Sequence, residues 1–486
     1  MSHLTRRRFL EDSLLASAAL AAAGSASTVL AAEEAPQSKS PNEKLLVAVV
    51  GVRGRGGSHI AAFAGRKDTE IAYLVDVDEV VGESRAEEVE KRQGRRPKVV
   101  KDMREAFEDK SIDIVSTATP NHWHSLCAIW AMQAGKDVYC EKPVSHNVSE
   151  GRRMVEAARK YDRICQTGTQ SRSNPGMREI MEYIHSGKLG EVKLARGLCY
   201  KPRGSIGAKG TYDVPKSVDY NLWCGPAPMN PLTRPQFHYD WHWMWDYGNG
   251  DLGNQGIHQM DLARWALNVN DLGQGVVSYG GRFGYEDAGE TANTQVNIHK
   301  YGDKNLVFEV RGLKTDDYKG AKVGLIVYGS EGYAVIPSYD GGVVFDKNGQ
   351  QVQTSFTKGG GDDNHFGNFL TAVRSRKKED LNADILEGHL SSALCHLGNI
   401  SYRLGQTIPV AEATSRLEAN DETRETFARF KDHLSQNDVN LDKTQVQFGK
   451  MLAVDSKTET LGEESANAML TRQYRAPFVV PAADQI

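Results

Sequence analysis

The sequence predicts an α/β protein in two parts. An N-terminal doubly wound parallel sheet is followed by a C-terminal α+β domain with a large, mostly antiparallel open sheet. Three observations carry this. Apolar strand-like runs and helical patterns alternate between residues 45 and 168, as βαβ units do. A glycine-rich turn, Gly51-Val52-Arg53-Gly54-Arg55-Gly56-Gly57, joins the first of these strands to the first helix. From Leu189 onward, long strand-like runs recur with short turns and few helices between them.

The chain begins with Thr5-Arg6-Arg7-Arg8-Phe9-Leu10 and an Ala/Leu/Ser-rich stretch from Ser13 to Ala32. This resembles a twin-arginine export signal, with Val29-Leu30-Ala31 as small or modest side chains for cleavage. Glu11 and Asp12 are unusual at that place, and an uncleaved N-terminal membrane anchor is the alternative. Residues 1–32 are thus expected to be a signal peptide, and the polar stretch 33–44 a linker. A periplasmic or exported protein follows from this. Six cysteines, at 127, 140, 165, 199, 224 and 395, form no Cys-x-x-Cys pair and suggest neither zinc nor a disulfide framework. With 486 residues, two or three domains are expected; a net charge of −4 argues against nucleic acid as the main partner.

In the first half, strands are expected at Leu45–Val52, Glu70–Val77, Asp113–Ala118, Asp137–Cys140 and Ile164–Gly168. Helices are expected from about Gly57 to Gly65 and over roughly 79–93. Against the fingerprint G-x-G-x-x-G, Gly51 and Gly56 match and Arg53 replaces the middle glycine, where the backbone normally approaches a pyrophosphate. Arg53 therefore either displaces the phosphate or swings out to pair with it. Asp76 ends a strand 20 residues past Gly56, where an acid hydrogen-bonds ribose hydroxyls and repels a 2′-phosphate. This is a Rossmann dinucleotide site, with NAD favoured over NADP. Gly54 and Arg55 belong to the same turn. Thr119-Pro120-Asn121-His122-Trp123-His124 follows a later strand. Thr119, Asn121 and His124 are candidates for the nicotinamide end, with a helix cap and a core histidine as the alternative.

Val138-Tyr139-Cys140-Glu141-Lys142-Pro143 is the stretch the chain is organised around. A short apolar strand ends in a carboxylate, an amine and a proline, at the sheet edge where open α/β folds bind ligands. An ammonium there loses hydration and its pKa falls toward the range useful for proton transfer. Together with the glycine-rich turn, Asp76, Thr-Pro-Asn-x-x-His and Ala134-Gly135-Lys136-Asp137-Val138, this stretch resembles the Gfo/Idh/MocA oxidoreductase family. Glucose–fructose oxidoreductase and inositol dehydrogenase are among its members. The resemblance implies that Lys142 is catalytic and that a second domain carries a large open sheet over the nicotinamide. Glu141, Lys142 and Gln170 join the cofactor-contacting candidates.

In the second half, strands are expected over 191–200, 276–284, 291–299, 305–312, 322–328 and 332–336, and helices over 363–376 and 386–404. The expected division is a nucleotide domain over 45–168, a substrate and oligomerisation domain over 169–435 and a tail over 436–486. The tail is a candidate to wrap a neighbouring subunit, and a homo-oligomer, dimer or tetramer, is the expected state.

Phe237 to Tyr247 hold three of the seven tryptophans. That concentration makes Trp241 and Trp243 candidates for stacking on a sugar, with an aromatic core or subunit contact as the alternative. A helix then opens over Gly250–Asp261, placing Asn254 and His258 at i and i+4 on one face. The family shows Asp-x-x-x-His here, and this chain has Asn254 in the Asp position. Asn orients a hydroxyl but takes no proton. Lys142 and His258 remain as acid/base candidates. A metal held by His238, His242, Asp246 and His258 matches no ligand signature, and none is expected.

The sequence-level expectation is an NAD-dependent oxidoreductase acting on a sugar or glycoside hydroxyl or keto group. Redox-neutral NAD-dependent cleavage of a glycoside through a 3-keto intermediate is the alternative. A non-catalytic nucleotide or sugar sensor is the rival class, because a fungal transcriptional repressor of the galactose pathway shares the fold.

Overall fold

The computed structural model describes residues 43–353, 359–417 and 421–486. The expectations for residues 1–32, and for 33–42 of the linker, lie outside them. Among the described residues no helix is long and apolar enough to cross a membrane.

The first sheet has six parallel strands: β1 (Leu45–Val50), β2 (Thr69–Val75), β3 (Lys98–Val100), β4 (Ile114–Thr117), β5 (Asp137–Cys140) and β6 (Cys165–Thr167). Their order is β3-β2-β1-β4-β5-β6. The strand order reverses between β1 and β4, and a doubly wound sheet binds its ligand at the carboxyl ends of such a pair. Both faces are covered, which is why these strands read as near-continuous apolar runs. One face packs on helices that include Asn121–Gln133 and Val148–Lys160. The other packs on Arg55–Ala64 and, from far along the chain, on Asp362–Ser375. Phe366 of that distant helix stacks on Tyr139, with centroids 4.2 Å apart.

The second sheet has twelve strands. Its centre is β7 (Val192–Tyr200), flanked by β11 (Val323–Gly329) and β10 (Lys304–Arg311). Most pairs are antiparallel, but β10 runs parallel to β7. Helices Gly256–Leu267 and Ile385–Arg403 cover one face around an apolar cluster that includes Ile257, Met260, Phe308 and Leu394. Helix Asp421–Gln436 covers part of the other, where Phe427 and Phe430 meet Tyr279.

The stretch after 435 does not stand apart. Strands Gln445–Phe448 and Leu452–Asp455 pair with Gly275–Gly281 in the second sheet. Phe478, Val480 and Ile486 then pack into the apolar layer of the first sheet. The six cysteines are all buried and unpaired.

The expected helix over Gly250–Asp261 is two helices, Gly250–Asn254 and Gly256–Leu267, broken at Gln255. Glycines at 250, 253 and 256 weaken the helical backbone there. Gly256 also packs so closely that an added Cβ would lie 2.9 Å from the Phe308 ring.

Candidate active site

The glycine-rich turn leaves β1 at Gly51, whose φ is 76°. A Cβ on Gly51 would lie 2.8 Å from the Thr119 nitrogen, so the β1 and β4 turns touch backbone to backbone. Gly56 does not reach the cleft. An added Cβ there would come within 2.0 Å of the Gly51 carbonyl oxygen, so Gly56 lets the helix start against the turn. Helix Arg55–Ala64 starts from this turn with no side-chain cap, its Gly56 and Gly57 N–H groups donating to the Arg53 and Gly54 carbonyls, and the positive end of its dipole favours a phosphate there.

This space is a cleft of about 750 Å³. Gly51, Arg53, Gly54, Arg55, Asp76, Thr119, Asn121, His124, Glu141, Lys142, Gln170, Trp241, Asn254 and His258 all line it. Its size suits a cofactor with a small substrate beside it. Asp76 sits at the end of β2. Its Oδ2 accepts from the Val52 N–H (2.9 Å) and its Oδ1 from the Asp78 N–H (3.0 Å). Burial pushes its pKa up against those two bonds. A ribose hydroxyl pair would give this buried carboxylate further donors. With the touching turns at Gly51 and Thr119 and the helix N-terminus beside them, the residues fit a dinucleotide.

The two turn arginines differ. Arg53 is exposed at the rim of the cleft, where the middle glycine of the fingerprint would be. Arg55 is spent on protein: its Nε donates to Glu141 Oε1 (2.7 Å) and its Nη1 to Asp362 Oδ2 (2.5 Å). Arg53 is therefore the turn's free cation for a phosphate.

Lys142 follows β5. Its Nζ donates to the main-chain carbonyl of Asn254 at 2.8 Å. Burial lowers its pKa, opposed by the Glu141 carboxylate and reinforced by Arg55. Glu141 is itself buried, but Arg55 and His59 hold its carboxyl well below the usual range. The result is a fixed anion beside an amine that gives up its proton more readily than a solvated lysine.

His258 is 8% exposed and packs edge-on against Tyr339 at 5.2 Å. Burial, then the nearby Lys142, push its pKa well below the ordinary histidine value. It is a neutral imidazole at neutral pH, and its Nδ1 has no hydrogen-bond partner among the described residues. Asn254 and His258 both line the cleft although the helix breaks between them. What meets Lys142 is the Asn254 backbone and not its amide.

Other candidates build the walls. His124 places Nδ1 2.6 Å from the Pro143 carbonyl and Nε2 2.7 Å from the Thr119 carbonyl, tying the two turns together. Asn121 donates to Asn249 Oδ1 at 3.0 Å. His124 thus sits in the core position held open as the alternative, whereas Asn121 does not cap its helix, which begins after Pro120 with no side-chain cap; both residues still line the cleft. Trp241 lines the cleft and stacks on His242 at 3.7 Å. Trp243 does not line it. That residue is 5% exposed within an aromatic cluster, with the Arg203 guanidinium over its ring at 5.3 Å. Both lie in the 3₁₀ turn Asp240–Trp243, where residues two apart project about 120° apart, and density of aromatics alone did not separate them.

His238, Tyr239, His242, Tyr339 and Asp362 line the cleft without having been singled out as contacts. Tyr339 comes from a loop and Asp362 opens helix Asp362–Ser375, neither with a motif around it, so only the fold brings them here. His238, His242, Asp246 and His258 do not converge: His238 pairs with Asp78, and Asp246 accepts from Asn230. Among the described residues no three metal-binding side chains gather.

Comparison with known proteins bears on this site. Residues 45–169 match a Gfo/Idh/MocA profile described as an oxidoreductase family, NAD-binding Rossmann fold. Residues 204–429 match that family's C-terminal alpha/beta domain. A levoglucosan dehydrogenase from Pseudarthrobacter phenanthrenivorans is 28% identical over 167 residues, which is 34% of this chain and 36% of that protein. An alpha-N-acetylgalactosaminidase from Shewanella oneidensis is 27% identical over 208 residues, 40% of this chain and 45% of that protein. A myo-inositol 2-dehydrogenase from Thermotoga maritima is 31% identical over 150 residues, 31% of this chain and 43% of that protein. The matches span less than half the length of each of these relatives. Among solved structures, a levoglucosan dehydrogenase in complex with NADH and levoglucosan shares the fold with a TM-score of 0.55 at 18% identity, covering 73% of this chain and 96% of that one. The WlbA dehydrogenase from Bordetella pertussis, in complex with NADH and UDP-GlcNAcA, does so with a TM-score of 0.55 at 19% identity, covering 73% and 95%.

Proposed function

Because the chain belongs to the Gfo/Idh/MocA oxidoreductase family and carries its NAD-binding Rossmann domain, we propose that it is an NAD-dependent oxidoreductase acting on a hydroxyl or keto group of a sugar or glycoside. The observation that carries this reading is Lys142: a desolvated amine, pinned to the Asn254 carbonyl, in the same cleft as Asp76 and His258. When bound, NAD supplies the acceptor and donor of hydride. Asp76 holds its ribose and Arg53 a phosphate. Lys142 takes the hydroxyl proton at Nζ during oxidation and returns it during reduction. His258, a neutral imidazole lining the cleft, orients the substrate hydroxyl or shares that proton. Trp241 and Tyr239 offer ring faces to the apolar side of a sugar.

The test is to denature the purified protein, identify any released nucleotide, and then follow nicotinamide absorbance with a panel of sugars and glycosides. Reduction of NAD by a sugar supports the reading. A protein that carries NADP, or that turns over no sugar in either direction, overturns it.

A second reading is redox-neutral glycoside cleavage, favoured by the similarity to the Shewanella alpha-N-acetylgalactosaminidase. The carbon-3 alcohol would give its proton to Lys142 and its hydride to bound NAD; the ketone would acidify the neighbouring C–H, a base would remove that proton, the aglycone would leave, water would add, and the same hydride and proton would restore the hydroxyl. Two proton-transfer groups, Lys142 and His258, suit those repeated steps. Aryl glycosides in deuterated water without added NAD distinguish the readings. Sustained phenol release with deuterium at carbon 2 supports cleavage; a keto-sugar accumulating from intact glycoside supports the simple dehydrogenase. The Thr5–Ala32 stretch motivates export in the folded state, and a homo-oligomer is the assembly we expect.

A further inference from the structure

We infer that a second cavity, separate from the cofactor cleft, is a binding site for a small oxyanion, phosphate or carboxylate. It has a volume of about 200 Å³, room for a few waters or one such ion. The loop after Lys142-Pro143, the turn before Gly250–Asn254, one face of helix Ile385–Arg403 and the tail around Arg472 enclose it. Asn249 separates it from the cleft. On one side Asn249 Nδ2 donates to the His146 carbonyl (3.0 Å); on the other its Oδ1 accepts from Asn121, which lines the cleft.

Two guanidinium groups reach this cavity. Arg403 rests over the Trp245 ring at 4.9 Å and makes no hydrogen bond or ion pair among the described residues. Arg472 donates to the Asp246 carbonyl (2.9 Å) and lies 3.2 Å from His146 Nδ1. A guanidinium only donates, so His146 Nδ1 accepts and the ring proton is on Nε2. That Nε2 is buried with no partner in hydrogen-bonding geometry. His396, 3% exposed, also lines the cavity; it holds Ser145 through Nε2 (3.1 Å), and its Nδ1 has no partner.

The acids nearby are already engaged. Asp246 Oδ2 accepts from Asn230 (2.8 Å), and Glu290 accepts from the Trp245 N–H (2.8 Å). The cavity thus offers a guanidinium with no protein partner among the described residues and a buried imidazole donor, with one lining carboxylate turned to its own partner. A buried donor without an acceptor is costly, and an anion supplies that acceptor while pairing with the guanidinium.

The test uses the full chain saturated with NAD, so that the turn at Arg53 is filled. Inorganic phosphate and, separately, malonate are titrated by calorimetry at constant ionic strength set with chloride. Saturable binding of either at one site per chain is expected, and the tighter of the two identifies the source. Arg403→Gln should weaken it about tenfold or more, and Arg403→Glu should abolish it. Arg403 is exposed, so both variants should keep the parental circular dichroism and denaturation midpoint. No saturable binding up to tens of millimolar, or binding unchanged in Arg403→Glu, overturns the inference.

Discussion

At the scale of single residues, Lys142 carries the chemistry. Lys142→Ala should lower turnover by roughly 10²–10⁴-fold while the nucleotide stays bound. A loss under about threefold would make the segment structural. In the parent, the oxidation rate should rise with pH as Lys142 deprotonates, with a midpoint below the ordinary lysine value because burial lowers it. Asn254 tests the surroundings. The contact to Lys142 is a main-chain carbonyl, so Asn254→Ala should leave that midpoint in place. Asn254→Asp brings a carboxylate near the amine, favours the ammonium and should move the midpoint up by roughly one pH unit or more. A profile identical in the Asp variant and the parent would show that the two side chains do not interact. Lys142, Asp76 and His258 were legible because each sits in a short motif at the end of a strand or in a helix. The Arg55 pairing was not, because Asp362 lies 307 residues away and nothing local marks it. Arg55 therefore read as a cofactor contact although it is already paired with Glu141 and Asp362.

At the scale of elements, the segment 217–239 forms one wall of the cleft, lined by Leu222, Trp223, His238 and Tyr239. It is fastened to the end of β2. The Glu79 N–H donates to the Ser217 carbonyl (3.1 Å), the Asp219 N–H to the Val77 carbonyl (2.9 Å), and His238 Nε2 lies 3.2 Å from Asp78 Oδ2. Trp223 and Phe237 anchor the segment in an apolar cluster behind. A nucleotide leaving the cleft past this wall would have to loosen these ties. His238→Ala should speed NAD release by roughly tenfold, the worth of one hydrogen bond to a charged group. A chase with excess labelled nucleotide measures this, and an unchanged rate would mean that the wall does not gate release. None of these ties shows in the sequence, which gives strands and helices but not pairings. The same limit hid the parallel pairing of β10 with β7: strand patterns alone do not state direction. The break at Gln255 was missed for a different reason. Helical spacing from Asn254 to His258 is satisfied on either side of it, so periodicity reads through a single kinked residue.

At the scale of the whole molecule, the chain returns to its first sheet from far along the sequence. Helix Asp362–Ser375 closes one face, and the last residues close the other. The alternation of strands and helices announced the sheet, but nothing in it says which distant segments complete its faces. The tail was a candidate to wrap a neighbouring subunit; within one chain its Phe478 packs on Trp123 and Trp130. Phe478 is 2% exposed, with its ring edge-on to Trp123 at 5.4 Å and the Arg104 guanidinium 5.7 Å from its centroid. Trp123 in turn lines the cleft and donates through Nε1 to the Leu222 carbonyl (2.9 Å), so the tail supports the wall from behind. Phe478→Ala should cost about 3–5 kcal/mol, the loss of a buried ring plus the cavity it leaves. Phe478→Leu keeps most of the volume and should cost about 1.5 kcal/mol or less. Denaturant unfolding of the NAD-loaded protein measures both, and because Trp123 is a cleft residue, the Ala variant should also release nucleotide faster than the Leu variant. If the Ala variant unfolds at the parental midpoint with parental nucleotide retention, the tail packs on the sheet without holding it.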